Sequence, residues 1–159
     1  MRSDLQTVLL VAFFCLFFSV WGAGNLEGWM NYPFWRDMGA MMTNEEFKQL
    51  RADHHWKIVP SLVVPYAIFG LVTIALAIAP PPSIPRWAML IIVALQLVSF
   101  TSTVFIQVPI QFHLSTHGYD LAALDRLITT NFWFRHLPHM AQVPLVIYLL
   151  WRAVASRTS

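Results

Sequence analysis

The sequence predicts an all-α, polytopic membrane protein: a compact up-down bundle of four transmembrane helices with a short interfacial helix in each of two exterior loops. Of 159 residues 57% are hydrophobic and 11% charged, with seven Trp and twelve Phe, and the mean hydropathy is +0.57. A soluble domain of this size has too little interior for that much apolar surface. Uncharged runs extend from Leu5 to Leu26, Ile58 to Pro85 and Trp87 to Phe112, each long enough for the ~20 residues that cross a bilayer core of about 30 Å. The connection Pro80-Pro81-Pro82-Ser83-Ile84-Pro85 is short and stiff, a turn between antiparallel neighbours rather than a linker.

Span 1 covers about residues 5–24. Its apolar run is longer than the roughly 7 to 15 residues of a signal peptide, so a retained span is expected although Trp21-Gly22-Ala23-Gly24 offers small residues at a cleavage point. Ala12, Cys15, Ser19 and Gly22 recur at intervals of three and four, a small-residue stripe that lets a neighbouring helix approach. Cys15 is the one cysteine, which excludes an internal disulfide and leaves it a packing role. In the exterior loop, residues 25–57, Thr43 and Glu46 form a capping-box pattern and Met42 and Phe47 a hydrophobic staple. That helix is expected to run on into span 2, about 58–79. On it Phe47, Leu50, His54 and Ile58 share an apolar face, while Lys48, Arg51 and His55 share another, which turns His54 inward and His55 outward.

Span 3, about 87–108, carries a polar seam. Gln96, Ser99, Thr103, Gln107 and Gln111 stay within an arc of roughly 120° at 100° per residue, facing protein or water, and Pro109 is placed to kink the outer end. The second exterior loop is residues 109–131. Span 4 is counted back from its cytoplasmic end, because only twelve residues, Met140 to Trp151, separate His139 from Arg152. About 20 residues reach back to Phe132, which puts Arg135 and His136 just below the outer interface and His139 a turn deeper. Asn131, Arg135, His139 and Gln142 share one helical face, with His136 about 100° from Arg135.

With four spans, one side holds Arg2, Arg86, Arg152 and Arg157 against Asp4, and the other six Lys or Arg against seven acids. The first side is shorter, denser in Arg and net positive, so both termini are expected in the cytoplasm of an inner or plasma membrane. The Trp and Tyr of the loops fit an interfacial belt.

All six histidines lie between Gly24 and Lys57 or between Pro109 and His139, two stretches on one side of the membrane. Ionisable groups at membrane depth are costly and mark functional sites. Glu27 is the acid nearest the end of a span, with Asn31 one turn on, and a bundle brings it near Arg135 or a histidine. His113 and His117 are four apart, and His136 and His139 three apart. These four are the candidate ligands if a metal or haem is bound, but no HExxH or carboxylate-rich repeat accompanies them, and none is expected. His117 precedes Gly118 and also fits the last residue of a helix. The absence of basic clusters and phosphate loops argues against nucleic acid and nucleotides.

Four spans in about 160 residues, the segment Val108-Pro109-Ile110-Gln111 and the run Arg126-Leu127-Ile128-Thr129-Thr130-Asn131-Phe132-Trp133-Phe134-Arg135 resemble the small membrane proteins of the anthrone-oxygenase-like family. The resemblance implies oxidation of a polycyclic anthrone or phenol-like molecule to a quinone by dioxygen, without a cofactor. The tandem His54-His55 and His136-Leu137-Pro138-His139 are not matched to that family, and their roles rest on chemistry. His139 or His54 is the expected base and Arg135 the stabiliser of the enolate, with Glu27, Asn31, Gln107, Gln111, Asn131 and Gln142 binding or orienting. The apolar substrate would enter from the bilayer. The competing expectation is a non-enzymatic accessory or assembly subunit of a membrane complex. A homo-oligomer stays open, and a transporter is disfavoured because the polar positions collect at one end.

Overall fold

The computed structural model describes residues 2–156, and the side chains from Asp4 to Ser156. Arg157 and the side chain of Arg2, two of the basic residues used to orient the chain, lie outside the described residues. The described chain forms eight α-helices: α1 (Arg2–Leu26), α2 (Tyr32–Gly39), α3 (Asn44–Ile58), α4 (Val64–Ile78), α5 (Arg86–Ser102), α6 (Val108–His117), α7 (Leu121–Asn131) and α8 (Leu137–Ala155). They are joined in pairs by single π turns at Glu27–Asn31, Val59–Val63, Thr103–Gln107 and Phe132–His136, so the architecture is four long arms running up and down. Three arms, Asp4–Gly39, Asn44–Ile78 and Arg86–His117, are long and apolar enough to cross a membrane. The fourth, α7 to α8, is not among them, because Arg135, His136, His139 and Gln142 dilute its apolar residues.

Proline places the π turns. Each turn ends two residues before one: Pro33, Pro65, Pro109 and Pro138. In each arm the N–H just before the proline bonds the carbonyl five residues back: Tyr32 to Glu27, Val64 to Val59, Val108 to Thr103 and Leu137 to Phe132. A proline ring collides with the carbonyl four residues earlier, and widening one turn relieves the collision without breaking the helix. Pro109 thus widens a turn where a kink was expected.

Segments 25–57 and 109–131, expected to be exterior loops, are not loops with one short helix each. They are helical apart from residues 40–43 and 118–120, and the arms, at 32 to 36 residues for the three apolar ones, reach about 50 Å at 1.5 Å per residue. That exceeds a hydrocarbon core of about 30 Å. Thr43 and Glu46 form the capping box that starts α3, and Met42 packs on the cluster containing Phe47. Gly118, at φ 94°, ends α6 after His117, a backbone conformation that side chains resist. Asp120 then caps α7, accepting from the Ala123 N–H at 3.1 Å and from His113 Nε2 at 3.1 Å.

Those two bonds, the backbone one first, hold the Asp120 carboxyl below its usual range. Its stabilising effect is therefore complete above the ordinary carboxylate pKa and fades as pH falls through the lowered value. Asp120→Ala should cost about 1 kcal/mol at neutral pH, and Asp120→Asn much less, read by thermal unfolding in detergent.

Two apolar cores are stacked along the arms. In the lower one α1 packs on α4, α4 on α5 and α5 on α8, around Phe13, Phe17, Phe69, Leu76, Ile92 and Leu149. In the upper one α2 packs on α7, α7 on α6 and α6 on α3, around Trp35, Phe47, Leu114, Leu124 and Leu127. The four π turns lie between the cores. The predicted small-residue stripe does not serve the bundle: Cys15 and Ser19 are exposed, and nothing lies within 4 Å of a Cβ built on Gly22. Close approach happens instead at Gly24 and Gly28, against the fourth arm.

Candidate functional site

Between the two cores runs a layer of buried polar side chains carried by the π turns and the helix ends beside them. Glu27, at 3% exposure, accepts from Asn31 Nδ2 at 2.7 Å and from His54 Nε2 at 3.0 Å. The expected partner of Glu27 is therefore a histidine, His54, and not Arg135. His54 lies edge-on to Trp35, with ring centroids 4.6 Å apart. His55 is exposed, as its helical face predicts.

Arg51 corrects the expectation. Grouped with Lys48 and His55 on an outward face, it is in fact 2% exposed, its guanidinium 3.8 Å from the Trp35 ring centre and donating from Nη2 to Gln111 Oε1 at 3.0 Å. The Trp35 face supplies a cation–π partner in place of water. Gln111 Nε2 donates to the Tyr32 hydroxyl at 3.2 Å, and Arg135 Nη1 donates both to that hydroxyl at 3.2 Å and to Gln107 Oε1 at 2.7 Å. One connected set, Arg51–Gln111–Tyr32–Arg135–Gln107, thus ties all four arms' outer halves together.

The seam on the third arm faces inward. Gln96, Ser99 and Gln107 are buried, and lower down Gln96 Nε2 donates to Thr73 Oγ1 at 3.0 Å while Tyr66 donates to the Gln96 carbonyl at 3.2 Å. The shared face of the fourth arm also points inward, with Asn131, His139 and Gln142 buried. His136 sits to the side, accepting from Trp29 Nε1 at 3.4 Å.

A crevice with room for about one water molecule opens where arms one and four meet, lined by Trp21, Gly24, Asn25, Asn131, Arg135, His136 and His139. The buried His139 Nε2 has no hydrogen-bond partner, and a Cβ on Gly24 would lie 4.0 Å from its Nδ1. A Cβ on Gly28 would run into the Asn131 side-chain amide. Gly28→Val should therefore push the arms apart, cost about 1–3 kcal/mol as overpacking, and raise the rate at which His139 is acylated by diethylpyrocarbonate, followed by mass spectrometry.

The four histidines considered as metal ligands do not converge. His113 and His117 stack at 4.5 Å near the far tip of α6, His113 paired with Asp120, while His136 and His139 flank the start of α8. Among the described residues no three of His, Cys, Asp and Glu form a metal-binding group.

No known family model, curated protein or solved structure matches the chain. The site therefore rests on its own geometry. Of its residues, Glu27, Asn31, His54, Gln107, Gln111, Asn131, Arg135, His136, His139 and Gln142 are those singled out from sequence. Tyr32, Trp35, Arg51 and Gly28 were not. For Arg51 there was no local signal, because the Trp35 that covers it comes from another helix; for Gly28 the available signal was its spacing of four from Gly24.

Proposed function

We propose that the chain is an integral membrane oxygenase that deprotonates a hydrophobic phenol- or anthrone-like molecule at the crevice between arms one and four. The observation that carries this reading is that His139, an imidazole whose buried Nε2 has no hydrogen-bond partner, and Arg135 line the same crevice. A base needs a free lone pair within reach of the proton, and an oxyanion needs a fixed cation beside it.

In this reading His139 takes a proton from the activated methylene, and the enolate, held by Arg135, is oxidised directly by dioxygen. The methylene loses two hydrogens and gains one oxygen as the new carbonyl, and the second oxygen leaves as water. Asn131 and Asn25, also in the crevice, orient the substrate oxygen, while Gln107, with Tyr32, fixes the Arg135 head. His54, held by Glu27, positions the layer rather than reacting. A tricyclic ring needs more room than the closed crevice has, and the glycine contact of arms one and four leaves few side chains to displace when they part. The apolar outer faces, from Leu5, Val8 and Val11 to Leu71, Ile74 and Ile78, suit lipid, with the arginine-bearing end in the cytoplasm: there Arg86 and Arg152 donate to the Ala77 and Ser83 carbonyls.

The test is turnover of an anthrone by the purified full chain in lipid nanodiscs, following quinone absorbance and oxygen uptake. One oxygen consumed per quinone, above lipid without protein, supports the reading; no excess rate overturns it. The second reading, a subunit of a membrane complex, draws on the exposed Phe34, Met38 and Met41 of the upper bundle. It predicts a stable partner in mild detergent and no turnover.

A further inference from the structure

The upper part of the polar layer holds buried hydrogen-bond donors that no acceptor of the described residues reaches. Arg51 gives Nη2 to Gln111, but its Nε and Nη1 have no partner. Gln107, fully buried, lends its carbonyl to Arg135 and leaves Nε2 without a partner. Tyr32, also fully buried, accepts from both Arg135 and Gln111, and its own hydroxyl proton meets no acceptor among the described residues.

The nearby acceptors bond elsewhere, Glu27 with His54 and Asn31, Gln111 Oε1 with Arg51 Nη2 and Gln107 Oε1 with Arg135, and none of them reaches Arg51 Nε, Arg51 Nη1 or Gln107 Nε2. Charge is unbalanced in the same sense, with two guanidiniums, Arg51 and Arg135, against one buried carboxylate, Glu27. A guanidinium cannot shed its proton, so titration cannot relieve the imbalance. Buried donors and charges of this kind are costly unless something pairs with them.

We propose that Arg51, Gln107 and Tyr32 form an anion site that takes a carboxylate. One surplus positive charge calls for a monoanion, and a carboxylate's two oxygens offer about four lone-pair positions to the idle donors. The donors belong to one network whose links, from Arg51 through Gln111, Tyr32 and Arg135 to Gln107, are 2.7 to 3.2 Å long. None of Arg51, Gln107 and Tyr32 lines the His139 crevice, so the site does not depend on the catalytic reading.

Carboxylate can arrive as a free small acid or as the head of an acid dissolved in the membrane, and two probes separate these. The full chain in detergent is titrated with acetate and with decanoate, with chloride and decanol as controls, and thermal unfolding is followed. A saturable rise in melting temperature with acetate assigns a free carboxylate. A rise with decanoate alone assigns a membrane-borne acid. Arg51→Met should abolish the rise; should that variant fail to fold, Arg51→Lys should raise the half-saturating concentration about tenfold or more. No saturable rise with either acid, a rise reproduced by chloride, or an unchanged half-saturation in the Arg51 variants overturns the proposal.

Discussion

Glu27→Leu should destabilise the protein by about 3–5 kcal/mol, the usual cost of breaking a buried pair by removing one partner. Three losses coincide at this residue. Asn31 Nδ2 and His54 Nε2 lose their acceptor, so two half-buried donors are left without a protein partner. The layer's one buried carboxylate disappears while Arg51 and Arg135 remain, which doubles the surplus of positive charge. The π turn that begins at Glu27 also loses the side-chain bond between its first and last residues. Glu27→Gln keeps the shape and can still accept from His54, so it should cost about 1–3 kcal/mol. The measurement is equilibrium unfolding of the detergent-solubilised protein. A Glu27→Leu variant within about 1 kcal/mol of wild type would mean that water already satisfies the layer, leaving its charges solvated rather than buried.

Legibility in the sequence followed the regularity of the helix. Along α5, unbroken α geometry from Arg86 to Ser102, counting at 100° per residue placed Gln96 and Ser99 on the inner face, where they are. Thr43 and Glu46 announced the start of α3 because a capping box is local. Angular counting loses accuracy across a π turn, since one turn carries an extra residue. The four X-Pro pairs, Tyr32-Pro33, Val64-Pro65, Val108-Pro109 and Leu137-Pro138, are visible in the sequence, and Pro109 is expected there to disturb its helix; that all four widen a turn between the two cores is not legible in it.

Arg51 was misplaced for a different reason. Its neighbours Lys48 and His55 are polar, and a helix face is judged by its company, but the face of Arg51 is covered by an indole from another helix, a tertiary contact with no local trace. The small residues of α1 misled in the opposite way. Ala12, Cys15, Ser19 and Gly22 form a stripe by spacing, yet the approach happens further on, at Gly28, where the Asn131 amide leaves no space for a Cβ, and at Gly24, where His139 lies within van der Waals reach of one. Spacing alone says that a helix can approach; the partner's bulk decides where it does.

The second large effect concerns activity. If the crevice is catalytic, His139→Ala should lower kcat on an anthrone by about 10²- to 10⁴-fold, the range a positioned general base contributes, and added imidazole should recover part of it because the substitution leaves a void beside Gly24. His54→Ala should behave differently. His54 has its Nε2 committed to Glu27 and lies against Trp35, outside the residues that line the crevice, so its loss should lower stability while kcat stays within about tenfold. Arg135→Met should depress kcat while changing KM less, because a cation beside the enolate acts on charge that develops only as the proton leaves. The three variants separate the roles, since a merely structural His139 would lose stability and activity together and would not respond to imidazole. Turnover that survives in both His139→Ala and His54→Ala would remove histidine from the chemistry and leave the buried layer as scaffold alone.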